Sequence, residues 1–155
     1  MKKYLFLLLL SLPYLGNAQS ETIQKWHKKY DNAFVMFFYH STLNMLNMQN
    51  NEEFQDIIKD IDKMKLITID KKEDSFTTEN YKELVSDYKS DKFEELMSMR
   101  QESSKINAYI KEIDGITKGI AVLINSDSSM TIIDLKGSVP LNKIGTLAKQ
   151  IQTLQ

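Results

Sequence analysis

The sequence predicts an α+β fold: a mixed or antiparallel sheet with helices packed on one face, and a C-terminal β-meander followed by a helix. Three observations predict it. Up to Tyr88, short apolar runs alternate with stripes of helical spacing. From Phe93 to Leu135 the pattern changes to loose period-two alternation broken by an Asp-Gly turn. After Pro140 the helical spacing returns. This mixed order gives a sheet with helices against one face, or a compact two-layer sandwich.

Met1 to Ala18 read as a cleavable secretory signal. Lys2 and Lys3 give a positive start, Tyr4 to Leu12 is apolar apart from Ser11, and Pro13 ends the run. Gly16-Asn17-Ala18 places small residues before a peptidase site, so cleavage is expected between Ala18 and Gln19. A membrane-spanning helix needs ~20 apolar residues, about twice this run. Lipid anchoring at the cleavage point requires a cysteine, and the chain has none. The mature chain is therefore expected to be exported, periplasmic or extracellular, with neither a membrane span nor a lipid anchor.

Residues 19–155 are expected to form a single domain, with 19–32 as an N-terminal helix or arm carrying Ile23, Trp26 and Tyr30 at helical spacing. Ala33 to Tyr39 (AFVMFFY) is too short for a typical helix and reads as a strand buried on both faces. Ser41 or Thr42 can cap a short helix with Leu43 and Leu46. Asn50 and Glu53 resemble a capping box, and Phe54, Ile57, Ile58, Ile61 and Met64 follow as a helical stripe. Lys65 to Asp70 reads as a strand. Thr77 or Thr78 caps the next helix, striped by Tyr81, Leu84, Val85 and Tyr88. Ile106, Ala108 and Ile110 make one arm of a hairpin, and Ile120, Val122 and Ile124 the other. Asp114-Gly115 lies between them, suited to a turn whose central residues need positive φ. Asn125 to Ser129 is a second turn, Met130 to Leu135 the next strand, and Leu141, Ile144, Leu147, Ile151 and Leu154 stripe a final helix.

Removing 18 of 155 residues leaves 137, enough for one core without staples. Disulfides, thiol nucleophiles and thiolate metal sites are excluded by the absence of cysteine. Cleavage leaves 18 Lys+Arg against 21 Asp+Glu, a net charge near −3 with the signs interleaved. No basic face for nucleic acid is expected.

The progression FVMFFYHSTLNML, EFQDIIKDIDKMKLITID, YKELVSDYKSDKFEELMSM, INAYIKEIDGITKGIAVLIN and TIIDLKGSVPLNKIGTLAKQI resembles domain-of-unknown-function family 4252 of exported bacterial proteins. The resemblance covers Tyr30 to Ile151. It implies a signal peptide, in some members a lipoprotein one, and a β-α-β-α layout leading into a β-hairpin. It carries over no activity and no catalytic residue. Its members' frequent place beside extracytoplasmic sigma factors and membrane anti-sigma proteins implies envelope signalling. Some relatives have an acidic residue before the last helix where this chain has Pro140.

Chemistry has few candidates. His27 and His40 are 13 positions apart, which fits no metal-ligand spacing, and His27 reads as a solvated residue. His40-Ser41 is the one pair that suggests nucleophilic catalysis, but no Gly-x-Ser-x-Gly elbow surrounds it. Asp60 and Asp62 project to different sides of a helix, Glu94 and Glu95 read as exposed, and Asn125 to Ser129 lacks the pattern of a calcium loop. Phe34, Met36, Phe37, Phe38, Met45, Met48, Met97 and Met99 suit a core better than a partner or lipid groove. No catalytic, cofactor-binding or metal residue is assigned, and no cofactor. The expected function is a non-enzymatic exported interaction or sensing module of the cell envelope, with an envelope protein as partner. The alternatives are a small hydrolase using His40, or a carrier of an apolar ligand held beside Phe37, Phe38 and Met45. The sequence assigns no oligomeric state.

Overall fold

The structure, a computed structural model, describes residues 19–47, 50–143 and 146. The expected signal, Met48 and most of the expected final helix lie outside the described residues. A 3-10 turn, Leu141–Lys143, follows Pro140.

Ser20 starts helix α1 (Glu21–Lys29) by accepting a hydrogen bond from the Ile23 amide, with Glu21 in the first turn and Lys28 and Lys29 in the last. Those charges suit the helix dipole. Strand β1 (Phe34–Tyr39) leads into short helix α2 (His40–Leu43), a 3-10 turn (Asn44–Leu46), helix α3 (Glu52–Ile58) and strand β2 (Ile61–Asp70). Helix α4 (Thr78–Ser90) follows, capped by Thr77 and Asn80 in a reciprocal box. The meander is β3 (Glu94–Gln101), β4 (Ser104–Ile113), β5 (Ile116–Asn125) and β6 (Ser129–Gly137).

The six strands form one sheet in the order β1-β2-β6-β5-β4-β3, antiparallel throughout. The expected α+β class, antiparallel sheet and C-terminal meander are therefore present. Helix α4 takes the chain from β2 to β3 at the far edge, and the meander then brings β6 back beside β2. Helices α1 and α4 share one face, where Ile23, Trp26, Leu84 and Tyr88 pack on Ile67, Ile69, Tyr109, Leu123 and Ile132. The short α2 and α3 add Leu43, Phe54, Ile57 and Ile58 to the opposite face, against Met64, Leu66, Val122 and Ile133.

Asp114 and Gly115 both have positive φ (54° and 72°), and Ile113 pairs with Ile116 across them, as the hairpin signal requires. Three local expectations need correction. The cap of α3 is Asn51, which accepts from the Phe54 amide, while Asn50 stands at φ 49°. The helix ends at Ile58, and Ile61, Asp62 and Met64 belong to β2. The register shifts between Ile61 and Lys63, so Ile61 and Met64 reach the same face although three residues apart. A bulge thus imitated helical spacing. Lastly, Ser41 lies inside α2. Tyr39 is its N-cap position, and Thr42 Oγ1 both accepts from the Tyr39 amide and donates to its carbonyl.

Candidate functional site

Among the described residues, two places stand out against the pattern of apolar inside and polar outside. The first is a polar cluster beneath α1. Asp134 and Lys65 are cross-strand partners on β6 and β2, and both point toward the helical face. They are only 1% and 3% exposed. Buried ionisable groups need partners, and α1 and α4 supply them. Ser20 Oγ and Tyr88 OH donate to Asp134 Oδ2, the tyrosine at 3.1 Å. Lys65 Nζ lies 2.8 Å from His27 Nδ1 and 4.9 Å over the Phe37 ring. Burial lowers the Lys65 pKa, and the Asp134 carboxylate partly offsets that. Burial and the lysine charge lower that of His27. His27 is therefore a part-buried acceptor under the rim of α1 and not a solvated residue, because a buried lysine on β2 requires one.

The Asp134 carboxyl is pushed up to about 6 by burial, although its bonds to Ser20 and Tyr88 pull it down. In the unfolded chain a carboxyl titrates near ~4. The folded state therefore holds this proton more tightly between those values. The resulting stability is full below about pH 4 and is lost as pH rises through about 6. Asp134→Asn keeps an acceptor for Ser20 and Tyr88 and removes the titration. Against wild type, its advantage is expected to grow from near zero at about pH 4 to roughly 2–3 kcal/mol above pH 7, at about 1.36 kcal/mol per unit. Parallel melting profiles for the two proteins from pH 4 to 8 would show that the carboxyl titrates normally.

This cluster is largely sealed from solvent. A cleft of about 160 Å³ reaches Asp134 past Gln19, Ser20 and Lys111, but the oxygen there is occupied by the two hydroxyls. His40 does not join it. Its Nδ1 lies 3.0 Å from the Ile61 carbonyl, and the ring and Ser41 are both exposed. Asp60 sits in the turn before β2 and Asp62 within it, away from any helix face. Among the described residues no group of three or more His, Cys, Asp or Glu could hold a metal, and no helix is long and apolar enough to cross a membrane.

The second place is β1. Its expected burial on both faces is corrected by topology, because β1 is the outer strand beside β2. Met36 and Phe38 pack on one core and Val35 on the other. Phe34, Phe37 and Tyr39 remain 57%, 48% and 54% exposed. Seven of the eight candidate core residues are among the described residues, and they divide. Met36, Phe38, Met97 and Met99 are partly buried, while Phe34, Phe37 and Met45 face out. Phe37 and Met45, two side chains of the expected apolar ligand site, are thus exposed among the described residues. Most edge strands carry charges, prolines or bulges that discourage pairing. The opposite edge, β3, has Glu94, Glu95, Arg100 and a bulge between Glu95 and Met97. The β1 edge has no such defence.

Sequence reasoning missed Asp134 and Lys65. The signal was there: each is a charge flanked by apolar residues in a strand, Asp134 in IIDL and Lys65 in MKLI, where a strand buried on both faces leaves no outward position.

A family model described as Domain of unknown function (DUF4252) matches residues 28–147. No curated protein and no solved structure matches the chain.

Proposed function

The chain belongs to the DUF4252 family, and from that footing we propose that it is a non-enzymatic interaction module, exported to the cell envelope, that binds protein partners by strand pairing along β1. The observation that carries this is the uncharged edge FVMFFY with three large side chains half exposed. An extended segment of another envelope protein can add to such an edge, main-chain bonds giving affinity and side-chain pockets giving selectivity. Export rests on the N-terminal pattern of charge, apolar run and small residues, and places the domain where envelope proteins are met. The polar cluster supports a structural role, since its groups are spent on holding α1.

Two measurements test this. Intact mass of the protein recovered outside the inner membrane is expected to begin at Gln19; a chain retaining Met1 to Ala18 in the cytoplasm would sink the export half. A photo-crosslinking residue at position 34 is expected to capture an envelope protein in living cells, and a further change of Tyr39→Lys on the same edge is expected to reduce that capture at least ~5-fold, since a charge on an edge strand opposes pairing. Undiminished capture by that variant would remove β1 from the function.

A further inference from the structure

We propose that the resting occupant of the β1 edge is a second copy of this chain, paired antiparallel about a two-fold axis through Met36. This deepens the interaction reading and rests on it: β1 is the docking element, and its first partner is itself.

The backbone fixes the register. Alternate residues of an edge strand direct N–H and C=O outward. The Ala33 amide donates to the Tyr30 carbonyl at 3.2 Å, and the Tyr39 amide to Thr42 Oγ1 at 2.9 Å, so the odd-numbered residues are the outward ones. Those two amides are taken by the chain's own acceptors. Val35 and Phe37 remain as the open rungs between them. Two identical antiparallel strands sharing a sheet face pair residues of the same parity. Val35 meets Phe37 of the second copy, and Phe37 meets Val35, only when the axis passes through Met36. An axis through Phe37 would instead bring the already bonded Tyr39 opposite Val35.

Side chains agree with that register. It sets exposed Phe34 opposite Phe38 on one face and Val35 opposite Phe37 on the other, the aromatic and β-branched pairings that stabilise sheets. Charge agrees too. Asp31 is exposed just before the strand, and Lys63 lies beside Tyr39 at its end. Antiparallel pairing brings the start of one strand to the end of the other, so each Asp31 approaches the Lys63 of the second copy. The area is modest: three half-exposed aromatic side chains per copy and a short stretch of backbone bury on the order of 800 Å² in all, about half a standard interface. The dimer is therefore weak and exchangeable, and it yields its edge to a partner strand.

The absence of cysteine makes the test clean. Met36→Cys places two thiols on the axis at a non-hydrogen-bonded pair, where Cα atoms stand about 4.5 Å apart and a disulfide fits. In the same register Phe34→Cys thiols lie four residues apart along the strand, about 13 Å. Sedimentation of the signal-cleaved protein is expected to pass from monomer to dimer between ~5 and ~500 μM, as befits a weak interface. Mild oxidation is expected to dimerise Met36→Cys at least ~5-fold faster than Phe34→Cys, by the distances above. Matching far-UV spectra and melting of both reduced variants establish that they fold. A protein monomeric at every concentration, or equal crosslinking at both positions, overturns the dimer. The capture experiment at position 34 reads the interaction module independently, so loss of one and survival of the other are told apart.

Discussion

Trp26→Ala is expected to cost the domain about 3–5 kcal/mol, the range for deleting a large buried aromatic, which is a large part of the stability of a chain this size. Trp26 is fully buried between α1, α4 and the sheet. Its ring stacks on Tyr30 at 5.7 Å and tilts against Phe76 at 6.1 Å, with Lys29 Nζ 4.5 Å above it. Its Nε1–H donates to Asp87 Oδ2 at 2.7 Å. Alanine leaves both the cavity and a carboxylate short of one donor. Trp26→Phe keeps most of the apolar surface, and Lys25 still reaches Asp87 at 2.8 Å; its loss is expected to stay near 1–2 kcal/mol, the hydrogen-bond share. Urea unfolding read by circular dichroism separates the two, since Trp26 is the single tryptophan and its fluorescence is lost in both variants. Equal midpoints for wild type and Trp26→Ala would mean that α1 is not docked.

Gly137→Ala is expected to be as damaging for a different reason. Gly137 ends β6 opposite Ile61, where the bulge of β2 begins, at φ +123°. A Cβ there would stand 2.3 Å from the Asp60 carbonyl oxygen, 2.9 Å from Ile61 Cα and 3.0 Å from the Asp62 nitrogen. All three are backbone atoms and cannot swing aside. The unfavourable backbone region costs about 1–3 kcal/mol, and forced overlap typically another 1–3 kcal/mol. Gly115 supplies the control, at φ +72° with nothing within 4 Å of its added Cβ. Gly115→Ala is expected to lose only about 1 kcal/mol, the cost of the left-handed conformation. Thermal melts of the two variants decide: similar transitions would show that close approach at the bulge does not matter.

Much of the architecture was legible because its causes are local. The stripe of Ile23, Trp26 and Tyr30 announced α1. Thr77 and Thr78 announced the start of α4, where the structure places the cap on Thr77, and Asp114-Gly115 announced the central hairpin. Each is read within a few residues, because helical turns, caps and two-residue turns are closed by neighbours in the chain. The end of α3 was misread for the same reason. Ile61 and Met64 continue a helical stripe, and only their register against Gly137 and Leu135 shows that a bulge makes the spacing. For β1, the sequence FVMFFY has the composition of a doubly buried strand. Whether it lies inside the sheet or at its border depends on where β6 returns, about a hundred residues later. Histidine and carboxylate roles were illegible for a similar reason. His40 looked the more reactive histidine beside Ser41, yet His27 is the one drawn into a buried network, by a lysine 38 residues away.

The sequence by itself determined the order of helices and strands, the position of the meander turn, the absence of thiol chemistry and the expectation of export. Each follows from composition or from spacings shorter than one turn. The tertiary structure alone decided which strands form the edges of the sheet, which polar groups are sealed beneath α1 and which glycine admits no side chain. Those outcomes rest on contacts such as Ser20 with Asp134, 114 positions apart. Pairing across that distance is set by how the whole chain closes, and no local pattern encodes it.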